Sequence, residues 1–187
     1  WLQEVRQEDV RMLAAFTDLG QHLPQDAPGL LELAAEYQRL FGFNLPPYES
    51  IFVDPSALMG APAAARVQAL YGRGGWQPPE DARLGALDHL GLQMLALADL
   101  WAAAGLPSAA ETQPAGVSLP ASGAAQLTGD LPLDLESHPP AAAAFALWRD
   151  HLALWAPVFL LTLRRLQPHP FYLALGESTL ELLLAYL

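Results

Sequence analysis

Apolar residues recur at helical spacing along most of this 187-residue chain. Val5, Met12, Leu13, Phe16 and Leu19 form one stripe, predicting a first helix over about 5–19 with Gly20 at its end. A second predicted helix runs from Ala27 to Phe41. Pro28 sits in its first turn, where a missing N–H is harmless, and Leu30, Leu33, Ala34, Tyr37, Leu40 and Phe41 share a face closed by Gly42. A third spans Pro62 to Tyr71 and ends in the turn Gly72-Arg-Gly-Gly75. A fourth starts at Leu87 or Asp88, with Asp81 as an earlier alternative cap, and stops at Ala104 before Gly105. From Pro107 to Pro140 the period disappears under Ser, Thr, Pro, Gly and Ala, which predicts a long irregular connector with room for a helical turn near Leu131 to Leu135. Helical spacing returns from Ala141 to Leu166, and Pro157 within it predicts a kink or a split. A last helix covers Pro170 to Leu187. The only alternating piece is Ser50 to Val53. The expected fold is an all-α, single-domain bundle of six to eight helices.

Between the second and third helices lies NLPPYESIFVDP, Asn44 to Pro55. Pro46 and Pro47 impose an extended backbone on a chain that is otherwise helical. Two readings stand side by side. In one, Tyr48 and Phe52 tuck into the core and the segment is a connector; in the other, Glu49 and Ser50 face outward to meet a partner. The following DPSALMG has room for a short helical turn.

At 52% hydrophobic residues, the chain can build one full core. It has no cysteine, so disulfides, thiolate zinc sites and cysteine nucleophiles are excluded. All nine basic residues are arginine, and the formal net charge is −11. That balance opposes nucleic-acid binding, which rests on Lys and Arg against phosphate, and it attracts basic partners. The longest apolar run, Leu152 to Leu163, contains Pro157 and is followed by Arg164 and Arg165. It falls short of the ~20 residues that cross a bilayer, so no stable membrane insertion is expected. The chain begins at Trp1 rather than Met, which leaves room for a preceding segment.

A catalytic constellation is hard to assemble. The five histidines, at 22, 89, 138, 151 and 169, make neither an HxxxH nor an HExxH pair, and there is no GxSxG or phosphate-binding Gly-rich loop. Neither a metal nor another cofactor is expected. Two polar pairs remain. Asp88-His89 lies at a helix start, where Asp88 can cap the helix while His89 sits half exposed, or where both can mark a pocket for a cationic ligand. Adjacent helical residues point about 100° apart, so they do not face each other as a dyad. His151 and Trp155 are four apart and share a helix face, with Trp155 packed in the core and His151 as its polar neighbour.

Taken in order, EYQRLFGF, LPPYESIFVDPSALMG, LDHLGLQMLALADLW, HLALWAPVFLLTL and HPFYLALGESTLELL resemble the TorD/DmsD/NarJ family of redox-enzyme maturation chaperones. The resemblance runs from about Glu36 to the end, apart from the middle connector. It implies a TorD-like, cytoplasmic, non-enzymatic chaperone that binds the twin-arginine signal peptide and the catalytic subunit of a molybdopterin-dependent oxidoreductase and delays export until the cofactor is inserted. The peptide-binding residues it implies are Pro47, Tyr48, Glu49 and Ser50 from the first motif and Asp88 and His89 from the second, with Gln93 where the family often has Glu. Trp155 and Pro157 match a structural pattern. This chain departs from the family in carrying Gly85-Ala86-Leu87 where Glu-Pro-x usually precedes Asp-His, so the backbone ahead of Asp88 is expected to differ. On this reading the carboxylates of Glu49 and Asp88 pair with the peptide's arginines, a charge-assisted and often bidentate contact. The connector at 107–140 would also allow two copies to exchange helices into a homodimer. The competing readings are a small hydrolase or nucleotide-binding enzyme using Asp88 and His89, and a helical adaptor with no peptide groove.

Overall fold

Proline starts and glycine stops account for several of the helix ends. In the computed structural model, which describes residues 14, 17–80, 82, 85–104 and 138–184, α1 spans Ala27–Tyr37 with proline in its first turn. It passes without a break into a π-helical segment, Gln38–Asn44, so Gly42 does not end it. The short α2 is Glu49–Val53, covering the alternating piece Ser50 to Val53 and lying ahead of the helical turn expected in DPSALMG. α3 is Pro62–Gly74 and stops at Gly75, whose φ of 73° is open to glycine at little cost. α4 is Leu90–Ala103. α5, Pro139–Leu147, runs through a second π segment, Trp148–Leu152, into α6, Ala153–Arg165, and α7 is Pro170–Leu184. Among the described residues the architecture is all-α, and the sole β-type pairing is one isolated bridge between Tyr48 and His89.

Pro157 lies inside α6 without splitting it. The irregularity falls one turn earlier, in the π segment that ends where α6 begins, so the helix changes its hydrogen-bond register before it reaches the ring. Of the predicted first helix, 17–21 is helical, one residue past Gly20. Val5, Met12, Leu13, Phe16, Asp81 and the stretch 105–137, on which the expected helical turn near Leu131 to Leu135 and the expected helix exchange fall, lie outside the described residues.

Two packing units meet in one core. α3 and α4 both pack on α5, whose Ala141, Ala143 and Ala144 are buried and let neighbouring backbones approach closely. α6 packs on α7, and α2 bridges the units by touching both α3 and α6. Leu70, Tyr71, Leu97, Leu100, Leu147, Leu152 and Trp155 form a continuous apolar interior. Aromatic rings join α2 to α6, with Phe52 centred 5.3 Å from Trp155 and 5.9 Å from Phe159. The extended segment of the LPPYES motif is thereby held against the middle of the bundle.

Candidate functional site

Proline sets the local backbone. Tyr48 follows Pro46-Pro47 in an extended conformation (φ −122°, ψ 130°) and runs antiparallel to residues 88–90. Two ladder bonds hold the pair: Leu90 N–H donates to the Pro47 carbonyl at 2.9 Å, and Glu49 N–H donates to the Asp88 carbonyl at 3.1 Å. Prolines lack the N–H for such a ladder, but their carbonyls can still accept, so this short pairing tolerates them. The two motifs distant in sequence thus meet at one isolated bridge. Of the two readings of the first motif, the inward one holds for Phe52, while Tyr48 is only half-buried; Glu49 and Ser50 are buried, so neither faces outward.

Each bridge segment ends by starting a helix. Asp88 is fully buried, and its Oδ2 accepts the Ser50 N–H at 2.7 Å, satisfying a first-turn donor of α2. It therefore caps the neighbouring helix and not its own. His89 is the N-cap of α4, its Nδ1 accepting the Gly91 N–H at 3.0 Å. Burial pushes the His89 pKa below the ordinary imidazole value, partly offset by the Asp88 charge. The Tyr48 ring meets His89 edge-on at 5.1 Å, and the Tyr48 hydroxyl accepts the Gly85 N–H at 3.2 Å. Gly85-Ala86-Leu87 is thus tied down by Tyr48, and Tyr71 O–H donates to the Leu87 carbonyl at 3.1 Å. Without the family's usual proline, side-chain contacts fix the approach to Asp88.

Glu49 turns inward. It is 2% exposed, and its carboxylate accepts Gln93 Nε2 at 2.7 Å while lying 2.8 and 3.0 Å from His151 Nδ1. A carboxylate can only accept, so Nδ1 carries the proton in this contact. Gln93 is fully buried; its amide also reaches the Asp88 carbonyl at 3.3 Å, and its Oε1 accepts Trp155 Nε1–H at 3.3 Å. Ser50 is buried too, with Oγ accepting the Gly60 N–H at 3.2 Å. The expected outward acceptors are therefore occupied by internal donors, because burying a carboxylate is tolerable only when its lone pairs are met. One buried atom stands apart: Asp88 Oδ1 has no hydrogen-bond partner among the described residues.

Beside this network opens an apolar groove of about 310 Å³. Pro47, His89, Leu90, Gly91 and Met94 form one side. Tyr37 and Phe41 come from α1 and the π segment that follows it, Phe159, Leu160 and Leu163 from α6, and Tyr172, Leu175, Gly176 and Thr179 from α7. Of the residues singled out from the sequence, Pro47 and His89 line the groove. Tyr48 backs His89, and Glu49, Ser50, Asp88 and Gln93 sit behind the wall. His151 and Trp155 complete that support, a role the i, i+4 spacing hinted at without naming their partners. The contributions of α6 and α7 went unread as a site. A signal existed in α7, where Phe171, Leu173, Leu175, Leu180 and Leu182 leave few faces polar, more apolar surface than one packing contact consumes.

No group of three or more His, Asp or Glu that could hold a metal occurs among the described residues. No helix among them is long and apolar enough to cross a membrane. No curated protein and no solved structure matches the chain significantly. Residues 5–160 match the family described as nitrate reductase delta subunit, a span that contains both bridged segments of the wall and most of α6. The chain belongs to this family of NarJ/TorD-like chaperones, which act with molybdoenzyme subunits in their maturation.

Proposed function

We propose that the chain is a non-enzymatic, cytoplasmic chaperone that receives the twin-arginine signal peptide of a molybdoenzyme catalytic subunit, with the peptide's apolar stretch seated in the groove. The observation that carries this reading is the groove itself: an apolar cleft one side of which is built from the Pro47 and Asp88-His89 motifs. Pro47 and His89 would contact the peptide, with Tyr48 behind them. Glu49, Ser50, Asp88 and Gln93 would act by holding the wall in place. A signal peptide joins a basic stretch to an apolar one. The net charge of −11 supplies a field that draws the basic stretch in, and the groove supplies the specific contact. Retaining the peptide until the cofactor is in place would delay export of the client.

The test is calorimetric titration of a synthetic twin-arginine signal peptide against the wild-type protein and Leu175→Glu. Leu175 is 39% exposed at the groove rim, so the added carboxylate leaves the core untouched while charging the apolar site. Binding to the wild type and its loss in Leu175→Glu, with unchanged helicity, is expected. Equal affinity for the two proteins would place the peptide elsewhere.

A further inference from the structure

Gly176 occupies the middle of α7, where glycine is the least favourable residue short of proline. It is buried and lines the groove. A Cβ there would stand 3.2 Å from Leu163 Cδ2 and 3.8 Å from Leu160 Cδ2, and both leucines line the same groove. An added methyl group would therefore press on two leucines that wall the groove. No left-handed backbone conformation calls for glycine at this position.

We propose that Gly176 sets the depth of the groove and selects partners that insert a large apolar side chain against Leu160 and Leu163. This rests on the peptide-binding reading above and adds a specificity determinant to it. The groove of about 310 Å³ has room for a few side chains and not for a whole helix, so one well-filled pocket can dominate selection. One methylene in an apolar pocket is worth about 10-fold or more in discrimination.

The experiment uses a panel of one signal peptide in which each apolar residue is shortened to alanine in turn. Each peptide is titrated against wild type and Gly176→Ala, with helicity and melting temperature recorded alongside. At one or two peptide positions, shortening should weaken wild-type binding about 10-fold. At those positions Gly176→Ala should bind the shortened peptide at least as well as the parent. Purely structural packing of α7 on α6 would move the melting temperature and leave side-chain preference unchanged. Uniform weakening across the panel, no change at all, or a Gly176→Ala protein that fails to fold would each overturn the proposal. Absence of binding by any peptide to the wild type would overturn the groove reading and this proposal with it.

Discussion

Replacing Glu49 by alanine separates an internal from an external role for the LPPYES carboxylate. The Glu49 side chain accepts from Gln93 at 2.7 Å and meets His151 at 2.8 Å, in a pair whose side chains are 3% and 10% exposed. Its removal strands two buried donors, each worth about 1–3 kcal/mol when left without a partner. Gln93 keeps its longer contact to the Asp88 carbonyl and His151 is slightly exposed, so the lower half of the summed range, about 2–4 kcal/mol, is expected. Urea unfolding followed by circular dichroism measures it, provided the denaturant slope stays constant. The double variant Glu49→Leu/His151→Leu should cost less than the sum of its single changes by about 1–3 kcal/mol, since it removes both ends of the pair. A Glu49→Ala cost within about 0.5 kcal/mol of zero is what a surface carboxylate gives, and it would refute the internal assignment.

Three further outcomes follow from the same geometry. Asp88→Ala should destabilise by about 2–3 kcal/mol by leaving the Ser50 N–H unmet; Asp88→Asn, which can keep that bond through its amide oxygen, should stay within about 1 kcal/mol of wild type in the same urea assay. His89 is a proton-linked element: its folded pKa lies below the ordinary imidazole value of 6.5, so between those two values the unfolded chain binds more protons. Stability should therefore fall as pH drops below about 6.5, and His89→Asn, which retains a capping oxygen, should flatten that slope in unfolding curves taken from pH 7.5 to 5. Gly75→Ala should lower stability by about 1 kcal/mol in thermal unfolding, because its φ of 73° is costly for a residue with a Cβ.

Much of the bundle could be anticipated because its boundaries are written in local chemistry. Pro28, Pro62 and Pro170 fall at helix starts, as their backbone preference requires, whereas Gly72 and Gly74 continue α3 past the end expected at Tyr71 and only Gly75 turns the chain. The π segments were not legible, since an extra residue in a helical turn leaves the apolar pattern almost unchanged. Ser50 to Val53 alternates like a strand yet is helical, because Asp88 supplies a cap from 38 residues away. The direction of Glu49 was hidden for the same reason: its partner His151 lies 102 residues along the chain. Asp88 and His89 were both found, but their capping roles fall on different helices, which only the ladder with Tyr48 reveals. The groove is assembled from α1, α4, α6 and α7, and of these contributions only the apolar excess of α7 shows locally.

The most direct test compares three forms of one signal peptide by calorimetry at low and high salt: intact, with both arginines replaced by glutamine, and with the apolar stretch made polar. Because Glu49 and Asp88 are buried at 2% and 0% exposure, replacing the arginines should weaken binding modestly, by a margin that shrinks as salt screens the acidic surface. Making the stretch polar should abolish binding at either salt concentration. Full affinity from the polar-stretch peptide, with none from the arginine-free one, would contradict the account.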